Sequence, residues 1–135
     1  MTVPFRILLV EDDQDVRYTL SEILRDDGYA VDVACDGVEA LAYLRSGNAP
    51  GVILLDLMMP RMSGFDFRVQ QLADHTIEHI PVIILTALGR MDEAAVSLKA
   101  EAAIGKPIDM PKLISALENV RANKDFDEGG PGGVG

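Results

Sequence analysis

Apolar residues along this chain follow two alternating periods. Ile7-Leu8-Leu9-Val10, Val52-Ile53-Leu54-Leu55 and Val82-Ile83-Ile84-Leu85 are short unbroken runs. Runs of this length, apolar on both faces and rich in β-branched residues, predict strands at the centre of a covered parallel sheet. Tyr29-Ala30-Val31-Asp32-Val33-Ala34 alternates instead, which puts it nearer an edge, and a fifth short strand is predicted at about 102–105. Between the runs the period lengthens to that of a helix. Val16, Leu20, Ile23 and Leu24 share one face, and Leu41 and Leu44 mark a second helix. Phe65, Val69 and Leu72 mark a third, Met91, Ala95 and Leu98 a weaker fourth, and Leu113, Ile114, Leu117 and Val120 a fifth.

The punctuation agrees with the periods. Asp13 or Asp15, Asp36, Ser63 and Asp109 suit helix N-caps, and Asp36-Gly37-Val38-Glu39 has the form of a capping box. Gly28 suits the position just past the first helix. Five strand–helix units in succession require right-handed crossovers, hence an α/β three-layer fold with one parallel sheet and helices on both faces. Residues 1–122 read as one domain. Residues 123–135 hold five glycines and a proline without periodicity, and are expected to be a disordered tail or a linker stub.

Composition narrows the function. With 48% hydrophobic residues in 135 the chain can bury a real core, and no apolar run approaches a membrane span. The net charge of -10 argues against nucleic-acid binding by a basic face, because phosphate contacts dominate such affinity. It leaves room for a metal ion or a basic protein partner. A single cysteine, Cys35, excludes an internal disulfide and suits a reducing compartment, so a cytoplasmic location is expected. Cys35 itself reads as a small buried hydrophobe at a strand end.

The chemistry gathers at strand ends. Glu11, Asp12 and Asp13 follow the first strand, Asp56 the third, Thr86 the fourth and Lys106 the fifth. In a parallel sheet these ends share one edge, the edge at which ligands bind in open α/β folds. Carboxylates about 4 Å apart repel by several kcal/mol at an effective dielectric near 20. Lys106 offsets one charge, and Mg²⁺, which favours a few carboxylates and a carbonyl, would offset two more. An acid beside a hydroxyl, an ammonium and such a cation suits phosphoryl transfer onto the acid. Asp13, one position beyond Glu11-Asp12, reads equally well as a helix cap. His75 and His79 have a spacing that could bind metal, but Pro81 and polar neighbours favour a solvated loop. Met58, Met59 and Met62 are better explained by loop packing than by a partner surface.

From about Phe5 to Val120 the chain resembles the receiver domain of bacterial two-component response regulators. The resemblance rests on Ile7-Leu8-Leu9-Val10-Glu11-Asp12, Asp56-Leu57-Met58-Met59-Pro60-Arg61-Met62-Ser63-Gly64, Leu85-Thr86-Ala87 and Lys106-Pro107, in that order at successive strand ends. It implies a flavodoxin-like sheet in the order 2-1-3-4-5 with five helices, an order shared with the chemotaxis receivers. It further implies Asp56 as the phosphoacceptor, served by a histidine kinase or phosphotransfer protein. Asp12 would bind Mg²⁺ directly, Glu11 mostly through water, and Met58 through its backbone carbonyl. Thr86 and Lys106 would contact the phosphoryl group. A downstream protein target or a fused output domain would read the switch, with no membrane or nucleic-acid contact by this domain.

Three positions depart from the family pattern. Ala103 stands where an aromatic usually reports phosphorylation, Lys99 where a glycine commonly precedes the fifth strand, and Ile108 where an aromatic follows Lys-Pro. None touches the phosphorylation chemistry. With no rotamer to switch at Ala103, the response is expected to be smaller or to fall on the loop from Ala87 to Met91. Other functions fit less well. A phosphohydrolase with an aspartyl intermediate usually needs an acid two positions after the nucleophile, where Met58 stands. A flavin module would meet repulsion from Glu11-Asp12-Asp13. A receiver-like interaction domain no longer phosphorylated would not need the complete acidic site.

Overall fold

A computed structural model describes residues 4–87, 93 and 96–129, with side chains up to residue 123. Five strands form one parallel sheet: β1 (Arg6–Val10), β2 (Ala30–Ala34), β3 (Val52–Asp56), β4 (Val82–Ala87) and β5 (Ala102–Lys106), in the order β2-β1-β3-β4-β5. The order and the edge position of β2 match the expectation. Pairing is in regular register, with Val10 opposite Leu55, Asp56 opposite Leu85 and Ala87 opposite Lys106. That register brings the ends of β1, β3, β4 and β5 to one edge.

Strand period 2 divides the core. Leu8, Val10, Ile53, Leu55, Val82 and Ile84 pack with α2 (Gly37–Arg45) and α3 (Gly64–Leu72) on one face. Ile7, Leu9, Val52, Leu54, Ile83 and Leu85 pack on the other with α1 (Gln14–Asp26) and α4 (Met110–Gly129). Every residue of β3 is buried, as a central strand covered on both sides requires.

Four helices are described where five are expected from the sequence. The helix expected on Met91, Ala95 and Leu98 falls on a stretch of which residues 88–92, 94 and 95 lie outside those described; Glu93, Val96 and Ser97 within it are helical. The caps are as expected. Asp13 accepts from the Asp15 and Val16 amides, Asp36 from Glu39, Ser63 from Asp66 and Asp109 from Lys112. The capping box is offset by one residue: Glu39 reaches back to the Cys35 amide, not to Asp36. Helix α4 continues to Gly129, past the boundary expected at 122. No glycine or proline interrupts 123–128, so the breakers lie only at the end of the stretch expected to be a tail.

The face of α3 differs from expectation. Phe65 and Val69 are 40% and 63% exposed, while Gly64, Phe67, Arg68 and Gln71 are buried. The cause is a polar cluster. Arg68 donates to the Leu98 carbonyl at 2.9 Å, the Lys99 carbonyl at 3.0 Å and Gln71 Oε1 at 2.7 Å. Gln71 Nε2 donates to the Ile77 and Ile80 carbonyls, each at 3.0 Å. Satisfied in this way, two polar side chains enter a core that an apolar count assigns to their neighbours. His75 and His79 are exposed among turns, as a solvated loop predicts. Cys35 is half-buried, not enclosed, and its thiol donates to Glu39 at 3.2 Å. That carboxylate, with burial second, raises the thiol above its ordinary pKa.

Candidate functional site

The buried run of β1 delivers Glu11 to the sheet edge, and β3 delivers Asp56. They are only 1% and 3% exposed. Asp12, one residue on, is exposed at the rim. One carboxylate oxygen from each of Glu11, Asp12 and Asp56 lies within 4.8 Å of the other two. From β5, Lys106 Nζ reaches Glu11 Oε1 at 2.9 Å and Asp56 Oδ1 at 3.3 Å. The Lys106–Pro107 peptide is cis.

Backbone contacts fix the acids. The Met58 amide donates to Asp56 Oδ1 at 3.2 Å, and the Asp13 amide to Glu11 Oε2 at 3.3 Å. Asp13 turns its own carboxylate to the cap of α1, away from the acidic group, which decides between its two readings. Arg17, which no sequence pattern singles out, donates to the Glu11 and Asp12 carbonyls at 2.9 and 3.3 Å and fixes the end of β1. Gly64 allows the loop to fold closely: a Cβ there would meet the Asp56 carbonyl oxygen at 2.5 Å. Its amide donates to the Leu57 carbonyl at 3.0 Å.

The electrostatics arise from crowding. Burial, then the hydrogen bonding and charge of Glu11, push Asp56 up to about 7, against Lys106 and the Met58 amide. Burial also acts to raise Glu11, but its contacts with Asp56 and Lys106 outweigh it and leave Glu11 below its ordinary value. Lys106 shows the mirror case: burial lowers it, and the two acids more than compensate, raising it. Three acids against one ammonium leave a surplus of negative charge at a largely buried point.

Thr86 is buried at the end of β4 and does not hydrogen-bond Asp56. It lines a cavity of about 270 Å³ with Leu57, Met58, Phe65, Ala87, Glu93 and Ser97. Met58 is exposed there at its side chain, whereas Met59 and Met62 pack on the core, as loop packing predicts. Ala103 pairs with Ile84 in β5 and packs against the same core. Of the loop expected to carry the response, residues 88–91 lie outside those described.

The family model of the response regulator receiver domain matches residues 7–118. The chain belongs to this family. It is a receiver domain of two-component signalling. Its curated relatives are response regulators: MprA of Mycobacterium sp. (strain KMS) is 36% identical over 129 residues, covering 94% of this chain and 55% of MprA. MprA of Mycobacterium avium (strain 104) is 38% identical over 126 residues, covering 91% and 54%. The chain thus spans about half the length of the curated relatives it matches. Among solved structures, the chemotaxis response regulator CheY4 of Vibrio cholerae gives a TM-score of 0.77 at 29% identity, covering 87% of this chain and 99% of that one. The non-phosphorylated HemR receiver domain of Leptospira biflexa gives 0.74 at 35%, covering 87% and 94%. No described helix of this receiver is long and apolar enough to cross a membrane.

Proposed function

We propose that this receiver accepts a phosphoryl group on Asp56, from the phosphohistidine of a histidine kinase or phosphotransfer protein, and so switches a protein-interaction surface. The observation that carries the reading is the convergence of Glu11, Asp12 and Asp56 within 4.8 Å, with Lys106 on two of them. An Asp56 oxygen attacks phosphorus, an O–P bond forms, the N–P bond breaks, and the imidazole nitrogen keeps the electron pair. Asp56 must be ionised to attack, and Lys106 favours that form. Lys106 is also close enough to Asp56 Oδ1 to pair with the oxygens of the incoming group. Thr86, beside Leu57 and Met58 at the cavity wall, supplies a hydroxyl for the same group.

The donor set fits Mg²⁺: hard oxygens from Glu11, Asp12 and Asp56, with the Met58 carbonyl on the adjoining loop. When bound, the ion offsets the surplus negative charge and stabilises charge on the transferred oxygens. The chain's own groups then orient the acids. The Met58 amide holds Asp56, and Arg17 holds the Glu11–Asp12 backbone. The phosphotransfer is self-catalysed and yields no small-molecule product. Residues 123–135, of which the first seven extend α4 to Gly129, serve as a tail or lead to an output domain, and the location is cytoplasmic. The absence of any acid at position 58 favours this reading over a phosphohydrolase.

Labelling with a small phosphodonor in Mg²⁺ tests it. The label should survive mild acid, be lost with base or hydroxylamine, and vanish in Asp56→Asn. Persistent labelling of that variant would sink the assignment.

A further inference from the structure

The loop between Asp56 and Gly64 carries a residue in a conformation that its type disfavours. Arg61 has φ 62°, the left-handed region, where any side chain costs free energy that glycine avoids. A glycine would fit this backbone freely, yet the chain keeps a long cation there. Through Nε and Nη2 that cation donates to Oδ2 of Asp36, a carboxylate only 2% exposed. The Arg61 side chain has no other hydrogen-bond partner among the described residues.

Asp36 does not need Arg61 for its capping role. Its other oxygen, Oδ1, already accepts from the Glu39 amide at 2.9 Å and closes the start of α2. The second bond therefore serves the loop. The same contact is reinforced next door: at Gly37 a Cβ would meet Met62 Cγ at 2.8 Å and Sδ at 2.9 Å, so the loop lies directly on the N-terminus of α2. At its far end the loop is closed by Gly64, whose amide bonds the Leu57 carbonyl at its beginning. Between these two anchors stands Met58.

We propose that Asp36 and Arg61 form a positioning clamp, which fixes the loop that carries Met58, the residue whose backbone carbonyl would serve the ion held by Asp12 and Asp56. The proposal rests on the phosphoacceptor reading above and adds to it two residues that touch neither ion nor phosphoryl group. Glu39 and Cys35 also face Arg61, but neither hydrogen-bonds it, so Asp36 is the group to alter.

Mg²⁺ titration followed by amide shifts, with initial labelling rates, tests the clamp in Arg61→Gly, Asp36→Asn, the double variant and Arg61→Lys. Loss of a group that orients a metal ligand weakens binding by about tenfold or more. Arg61→Gly and Asp36→Asn should each weaken Mg²⁺ by about that factor, and the double variant should lose no more than either. Arg61→Lys should recover part of the affinity. Labelling of Arg61→Gly at saturating Mg²⁺ should return to the parent rate, and its Tm should stay near the parent's because glycine removes the left-handed penalty. A purely structural role would lower Tm and leave affinity alone. Unchanged Mg²⁺ affinity in Arg61→Gly, or additive losses in the double variant, overturns the clamp. A parent that binds Mg²⁺ but takes no label overturns the phosphoacceptor reading while the titration still reads the clamp; a parent that binds no Mg²⁺ overturns both.

Discussion

The acidic edge and the Arg68–Gln71 cluster are both polar and both buried, but they resolve the cost of burial in opposite ways. Around Arg68 each hydrogen bond is a donor aimed at a carbonyl oxygen, and no like charges meet. The guanidinium has no carboxylate partner among the described residues; burial lowers its pKa, and Glu101 at longer range acts against that. Such a cluster is complete in itself and has nothing to gain from a ligand. At the acidic edge Glu11 and Asp56 face each other, with one ammonium between them. That cluster is complete only when a proton or a cation arrives. One is a joint of the fold, the other a site.

Breaking the joint should cost the most stability. Arg68→Met keeps the stem but leaves the Leu98 and Lys99 carbonyls and Gln71 Oε1 without their donor. At about 1 kcal/mol or more for each such group, the loss should reach about 3 kcal/mol in urea denaturation. Labelling of Asp56 below the transition should be unaffected. A variant as stable as the parent would mean that relief of the buried charge offsets the lost bonds, as replacement of buried ions by apolar residues sometimes does.

The acidic edge should instead reveal itself through pH. Asp56 rises from 3.8 to about 7 in the fold. An acid raised on folding is protonated more in the folded than in the unfolded state between those values, so it removes stability as pH rises through them. Glu11 shifts the other way and returns part of the loss. Without divalent cations, Asp56→Asn should therefore gain about 2 kcal/mol on the parent at pH 8, and little at pH 4. Mg²⁺ should close the gap at pH 8 by stabilising the parent. Denaturation curves that keep the same separation at both pH values would refute the crowding account.

How much of this is legible in the sequence depends on the local pattern. Buried strands announce themselves by unbroken apolar runs, and the residue that ends each run lies at the sheet edge. Glu11, Asp12, Asp56, Thr86 and Lys106 can therefore be grouped without any tertiary information. Arg68 and Gln71 are invisible for the same reason. An apolar count assigns the buried face of α3 to Phe65, Val69 and Leu72, because polar residues score as outward. Only carbonyls 6 to 31 residues away make inward-facing polar groups tolerable. The Asp36–Arg61 pair spans 25 residues, and nothing in either segment points to the other.

A smaller contrast lies within the acidic edge. Asp12 contributes an oxygen to the carboxylate group, whereas Asp13 spends Oδ1 on the Asp15 and Val16 amides. Asp12→Ala should weaken Mg²⁺ by at least about tenfold, and Asp13→Ala should instead lower helix stability by about 1 kcal/mol. Equal losses of Mg²⁺ affinity in an amide-shift titration would place Asp13 in the site after all.

The smallest effect concerns Lys99, which accepts from Arg68 through its carbonyl while its backbone is left-handed at φ 53°. The departure from a glycine common at this turn therefore has a measurable cost. Lys99→Gly keeps the carbonyl that Arg68 needs and removes the penalty of a Cβ in this region, about 1 kcal/mol. It also loosens the unfolded chain, which returns somewhat less than that. The net expectation is a gain of a few tenths of a kcal/mol, with Mg²⁺ affinity and labelling unchanged. Lys99→Ala, which retains the Cβ, should gain nothing. In Arg68→Met the Lys99→Gly gain should persist, because the penalty belongs to the backbone and not to the bond. If the gain disappears there, Arg68 is what keeps this turn left-handed, and the joint reaches further toward β5 than its hydrogen bonds alone.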